Sequence, residues 1–162
     1  MSDQTLPQLV QTASKQFADN IAIQEQDTSI SFKALNALRI QACRAFMAAG
    51  VKKGDRVAIW APNISEWVIA AIGLHSAGAV LVPLNTRMKG SEAAFILNES
   101  GAKFLLTVAG FLGIDYPAML ANEAMPALEK IILLRGATEA ATQQPLESWV
   151  SFLAAAEAIS EA

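Results

Sequence analysis

Residues 56–87 carry the most regular alternation in the chain: an apolar run, a proline, a polar pair, a long apolar stretch, a glycine and a second apolar run. Residues 57–60 are apolar strand formers, and Ala61-Pro62 ends that strand because proline lacks the N–H a ladder needs. Asn63, with Glu66 three positions on, has the spacing of a capping box and predicts a helix beginning there. From Trp67 to Ala77 one side carries Trp67, Ala70, Ala71 and Leu74 and the other Val68, Ile69 and Ile72, so a helix buried on all sides is expected. Gly78 suits the left-handed position after that helix, and residues 79–84 form a second buried strand broken by Pro83. The sum is a strand–helix–strand unit. Residues 67–86 lack Asp, Glu, Lys and Arg and are about as long as a membrane span. Gly78, Pro83 and Asn85 interrupt them and the period changes midway, so the membrane reading fails.

Around this unit the periods alternate. Leu6, Leu9, Val10, Ala13 and Phe17 recur at helical spacing behind a Thr5/Gln8 capping-box pair. Residues 21–25 and 29–32 alternate apolar and polar across the turn-like Gln26-Asp27-Thr28, predicting a small antiparallel hairpin. A helix follows with Leu35, Leu38, Ala42, Ala45, Phe46 and Ala49 inward, Lys33, Asn36, Arg39 and Arg44 outward, and Gly50 as its stop. After Arg87, Ser91 is the expected cap of a short helix with Glu92 in its first turn, ending near Gly101. Residues 103–107 and 130–134 read as buried strands, with a helix over 111–123 between them despite Pro117. Residues 135–146 are linker-like, and a terminal helix runs from 146 or 147 to 158, carrying Trp149, Val150, Phe152, Leu153 and Ala156. The whole predicts one α/β unit over 1–162: three layers, a mostly parallel sheet with helices on both faces and right-handed crossovers, plus the N-terminal hairpin.

Composition narrows the function classes. An apolar fraction of 53% with only 17% charged residues exceeds a typical free-standing domain, and predicts both a doubly covered sheet and a face that packs against something else. Self-association is the expected consequence. A net charge of −3 without a Lys/Arg block beyond Lys52-Lys53 argues against nucleic acid and anionic membrane surfaces as partners. One cysteine excludes an internal disulfide, and residues 1–10 lack the pattern of a signal peptide, so a cytoplasmic location is expected.

Chemical motifs are sparse. Neither the G-x-x-x-x-G-K-[ST] nor the G-x-G-x-x-G spacing occurs, and Gly110 with Gly113 reads as a loop entering a helix. The GLHSAG run around Ser76 lacks the first elbow glycine and follows rather than precedes a helix. His75, the only histidine, points away from Ser76 and is expected to be a hydrogen-bonded core or interface residue; Cys43 is expected to behave as a small apolar residue. One His and one Cys make no metal set, so no catalytic residue and no metal ligand are assigned. The charged residue that stands out is Arg87, just beyond the carboxyl end of the 79–84 strand, where ligands of open parallel sheets gather. A solvated loop cation, pairing with Glu92 or with nothing, is the plainer reading of it.

Ile30 to Leu35 (ISFKAL), Leu74 to Asn85 (LHSAGAVLVPLN) and the following NTRMKGSEAAFIL and SGAKFLLT, in this order and spacing, resemble the amino-terminal part of the adenylate-forming superfamily, above all its acyl-CoA synthetases. The resemblance covers roughly residues 8–135. It implies a ligase that uses MgATP to convert a carboxylic (fatty) acid to an acyl-adenylate, then transfers the acyl group to coenzyme A. It also implies that the phosphate loop, the adenine and ribose contacts and the lid lysine lie beyond this stretch. The chain alone is therefore expected to be catalytically incomplete and to need no cofactor, whereas the parent enzyme uses ATP, Mg and CoA. The resemblance implies for Arg87 a place near the CoA phosphates, as in some CoA ligases. An alternative is a stand-alone, non-catalytic α/β binding or interaction module derived from that fold.

Overall fold

In the computed structural model, which describes residues 4–158, the helix α1 (Leu6–Gln16) is capped as its sequence requires. The Gln8 N–H donates to Thr5 Oγ1 at 3.4 Å and the Thr5 N–H donates to Gln8 Oε1 at 2.8 Å. Strands β1 (Ile21–Glu25) and β2 (Thr28–Ser31) form the antiparallel hairpin. Ser31 then caps α2 (Phe32–Ala48), accepting from the Ala34 N–H. The strand β3 (Arg56–Trp60), helix α3 (Ser65–Ser76) and strand β4 (Val80–Pro83) make the expected parallel crossover, with Val57 opposite Leu81 and Ile59 opposite Pro83.

Helix α4 (Gly90–Ser100) leads to β5 (Phe104–Phe111), which pairs parallel to β3. Strand β6 (Ile114–Asp115) folds back antiparallel on β5, and the four-residue helix α5 (Tyr116–Met119) follows. Strand β7 (Lys130–Arg135) pairs with β5, β8 (Leu146–Ser148) pairs with β7, and α6 (Trp149–Ala154) runs into a 3-10 turn at Ala155–Ala158. The main sheet therefore has the order β4-β3-β5-β7-β8, all parallel, with β6 attached to β5. Helices α1, α2, α3 and α6 pack together on one face, and α4 packs with α5 on the other. No helix among the described residues is long and apolar enough to cross a membrane.

The core explains the pattern. Val57, Ala58, Ile59 and Trp60 of β3 and Leu105, Leu106, Ile131 and Ile132 of the neighbouring strands are fully buried, as strands covered on both faces must be. Helices α2 and α3 touch backbone to backbone at Gly73, where an added Cβ would lie 2.6 Å from Ala42 Cβ, so only glycine fits there. That close crossing buries Arg39, which the periodicity places outward. Its Nε donates to Asn36 Oδ1 at 2.9 Å and its guanidinium to Ser76 Oγ at 3.2 Å, and burial pushes its pKa down.

Further expectations need correction, among them a helix α3 buried on all sides: Trp67 and Val68 are only half-buried. The cap of α3 is Ile64, with no side-chain bond; Asn63 is exposed, and the Glu25 carboxylate accepts from the Ser65 N–H at 2.8 Å instead. The cap of α4 is Lys89 rather than Ser91, because Gly90 must enter the first turn against Met119, where a Cβ would sit 2.0 Å from the Met119 carbonyl oxygen. Residues 111–123 are not a helix: Gly110, Leu112 and Gly113 adopt positive φ and turn the chain into the β5–β6 hairpin, leaving only α5. Residues 146–148 form a strand, and Ser148 caps the helix that follows. Finally, β4 is an edge strand with Val80 47% exposed, not a buried one. The Val80 and Leu84 N–H groups donate inward to Asp55 and Ile59, so Pro83 occupies an outward position where no ladder bond is lost.

Candidate functional site

The connection after β3 passes to the α3 face and the connection after β5 to the α5 face. These two adjacent strands are therefore the switch point of the sheet, the place where ligands of open α/β folds gather. Here the gap is filled by side chains. Trp60, the last residue of β3, is fully buried and meets Tyr116 edge to face, with ring centroids 4.6 Å apart. Thr107, paired with Trp60 across the sheet, donates its hydroxyl to the Trp60 carbonyl at 2.9 Å. Both aromatic residues turn their polar ends to the loop after β4. Trp60 Nε1 donates to the Asn85 carbonyl at 2.9 Å and the Tyr116 hydroxyl to the Thr86 carbonyl at 3.0 Å. The loop completes its own turn: the Arg87 N–H donates to Asn85 Oδ1 at 2.9 Å and the Met88 N–H to the Asn85 carbonyl at 3.1 Å.

Two grooves flank this loop and share Thr86. One, of about 510 Å³, lies between the ends of β3 and β4 and is lined by Pro62, Asn63, Trp67, Pro83 and Asn85. The other, of about 580 Å³, has Arg87, Met88 and Lys89 on one wall and Phe111, Leu112, Ile114, Tyr116 and Met119 on the other. Arg87 is exposed, and among the described residues its guanidinium makes no hydrogen bond or ion pair, including with Glu92, which instead accepts from the Lys89 N–H at 2.7 Å. The Glu92 partner weighed from sequence is thus occupied elsewhere. A groove with an apolar wall and two cations on its rim has the donor set for a phosphate-bearing ligand with an apolar body.

Sequence reasoning located Arg87 but not Lys89 or the opposite wall, because that wall belongs to a hairpin read as helix. It also missed a second polar centre. Arg135, at the carboxyl end of β7, binds Glu25 through both guanidinium nitrogens at 2.6 and 2.9 Å, and binds Glu66 through Nε at 2.9 Å. Ser65 Oγ accepts from Arg135 at 3.2 Å and donates to Glu66 at 3.2 Å. The Arg135 hydrogen bonds, followed by the one from the Ser65 N–H, hold Glu25 down at about 2, while the two carboxylates push Arg135 above its ordinary value. This centre joins the hairpin, α3 and the sheet, and its members satisfy one another, so its chemistry is that of a clamp. The one available signal was an arginine at the carboxyl end of a buried strand.

The remaining candidates separate. His75 is exposed, not a core residue. Ser76 Oγ donates to the Ile72 carbonyl at 2.7 Å, which is an ordinary helix contact. Cys43 is half-buried with Sγ 3.9 Å from Met47 Sδ, and burial pushes its thiol up, away from a reactive thiolate. Gly110 and Gly113 shape a hairpin turn, not a helix start. Among the described residues no group of three or more His, Cys, Asp and Glu is placed to hold a metal ion.

The family described as AMP-binding enzyme matches residues 10–158. A (7a-methyl-1,5-dioxo-octahydro-1H-inden-4-yl)propanoyl:CoA ligase of Mycobacterium tuberculosis is 39% identical over 128 residues, covering 79% of this chain and 25% of that protein. A putative acyl-CoA synthetase of Bacillus subtilis, YngI, is 32% identical over 128 residues, covering 78% and 23%. The chain thus spans about a quarter of the length of these relatives. In structure, 93% of it superimposes on 29% of coronafacic acid ligase from Pectobacterium brasiliense with a TM-score of 0.82 and 20% identity, a likeness of fold.

Proposed function

The chain belongs to the AMP-binding enzyme family, and on that premise we propose that it forms the amino-terminal part of an ATP-dependent acyl-CoA synthetase. The reaction of the whole enzyme is then carboxylate, ATP and CoA to acyl-CoA, AMP and pyrophosphate. In this reading this part is one structural unit, and the groups that act on ATP belong to the rest of the enzyme. Its share in the chemistry is to receive coenzyme A. The observation that carries this reading is the Arg87–Lys89 rim, two exposed cations beside an apolar wall at the carboxyl ends of the parallel strands. Coenzyme A, once bound, supplies the thiol that takes the acyl group. Arg87 holds one of its phosphates by charge-assisted hydrogen bonds. The apolar wall keeps water from the neighbouring part of the molecule. A fatty acid as the acyl donor, a cytoplasmic location and self-association of the isolated chain complete the proposal.

The test is binding of 3′,5′-ADP, which carries the nucleotide phosphates of coenzyme A, to the 162-residue chain followed by NMR titration. Shifts confined to residues 85–89 and 111–119, with affinity weakened about ten-fold in Arg87→Ala, are expected, since a charge-assisted bond contributes roughly 1.5–3 kcal/mol. Equal affinity in Arg87→Ala would remove the arginine from the reading.

A further inference from the structure

The geometry points to Trp60 and Tyr116 as positioning residues that fix the backbone presenting Arg87 to its ligand. Both side chains are fully buried, and each spends its only polar hydrogen on a carbonyl of the same loop: Trp60 Nε1 on Asn85, the Tyr116 hydroxyl on Thr86. A buried aromatic donor needs a partner, because a lost bond leaves a desolvated group unpaired. The requirement works in both directions, since the loop carbonyls are held wherever the rings are held. The rings are held firmly. They pack edge to face at 4.6 Å, Trp60 ends the strand at the centre of the fold, and Tyr116 opens α5 beneath the Asp115 cap. With the Asn85 side chain accepting from the Arg87 N–H and the Asn85 carbonyl accepting from the Met88 N–H, four successive backbone positions are tied down while the Arg87 side chain stays uncommitted. A cation on such a loop loses only side-chain freedom on meeting a phosphate, because the backbone is already ordered. Sequence signals did not indicate this, since Trp60 lies in β3 and Tyr116 is 56 positions away (116 − 60) in a segment read as helix interior.

The inference rests on the reading of Arg87 as a phosphate contact, but one arm of its test does not. Tyr116→Phe keeps the ring and its packing and removes only the hydroxyl. Residue-resolved hydrogen exchange of the unliganded chain should show the Arg87 and Met88 amides exchanging about three- to ten-fold faster, with those of β3 and β5 unchanged, as expected for one lost hydrogen bond. In the second arm, 3′,5′-ADP affinity should fall by about two- to ten-fold in Tyr116→Phe, and this loss should vanish when Arg87 is already Ala, because the tyrosine acts through the arginine. Uniformly faster exchange across the sheet, or no change at residues 87 and 88, would overturn the positioning role whatever the ligand does. If Arg87→Ala leaves affinity unaltered while exchange at 87 and 88 still quickens, the phosphate reading fails and the positioning of the loop stands.

Discussion

Glu25 is a residue whose ionisation the fold controls strongly. Its carboxylate receives two guanidinium bonds from Arg135 and the Ser65 N–H, and its pKa lies at about 2 against an ordinary value of 4.5. Because the folded value is depressed, the clamp stabilises the protein above the ordinary value, and that contribution fades as pH falls from about 4.5 towards 2. Urea midpoints measured from pH 7 to pH 2.5 should therefore show Glu25→Gln less stable than the parent near neutrality, with the gap closing in acid. A constant gap would assign the effect to packing instead. Gly90 makes a second residue-scale case. A Cβ there would lie 2.0 Å from the Met119 carbonyl oxygen, so Gly90→Ala should cost roughly 1–3 kcal/mol through forced separation of α4 and α5, read as a lower urea midpoint.

Among the elements, α3 divides its length between core and groove. Leu74 is fully buried, and Leu74→Ala should cost on the order of 2–5 kcal/mol in urea unfolding. Trp67 is half-buried on the groove wall rather than enclosed, so Trp67→Ala should cost distinctly less than Leu74→Ala, the reverse of their volumes. The β3-α3-β4 crossover was legible in the sequence because its punctuation is local: Pro62, Gly78 and the unbroken apolar run belong to single elements. The β5–β6 hairpin was not, since it turns on the positive φ of Leu112 between two glycines, a conformation to which the helical spacing of Phe111 and Ile114 is blind. The α3 cap failed for a related reason. Asn63 and Glu66 have the spacing of a capping box, but Arg135 and Glu25, brought in from 69 and 40 positions away, outcompete it by pairing Glu66 and the Ser65 N–H. Arg87 stood out because it needs only a strand end; Lys89, two positions on, lies in the same loop, whereas Tyr116 joins them through tertiary structure alone.

For the whole molecule, the absence of a phosphate loop from the sequence predicts that the purified 162-residue chain will not exchange pyrophosphate into ATP with any fatty or aromatic acid. Robust exchange would mean that residues other than those of the expected loop hold the nucleotide. Association is the second consequence at this scale, and the structure changes where it should occur. The β4 edge is a poor template, because two of its amides are used inward and Pro83 has no N–H to offer. The β8 edge has only three residues. Strand addition is thus blunted at both ends of the sheet, which leaves apolar side chains. Phe95 on α4 is 64% exposed, Leu112 at the hairpin tip 82% and Val150 on α6 79%, on a chain that is 53% apolar. We expect light scattering after size exclusion at tens of micromolar to give a mass about twice 17.2 kDa, and one of Phe95→Lys and Val150→Lys, which lie on opposite faces of the sheet, to restore the monomer, whereas Pro83→Val should leave the mass unchanged. A monomer at every concentration, or a dimer abolished only by changes in β4, would show that the apolar surface is not what associates.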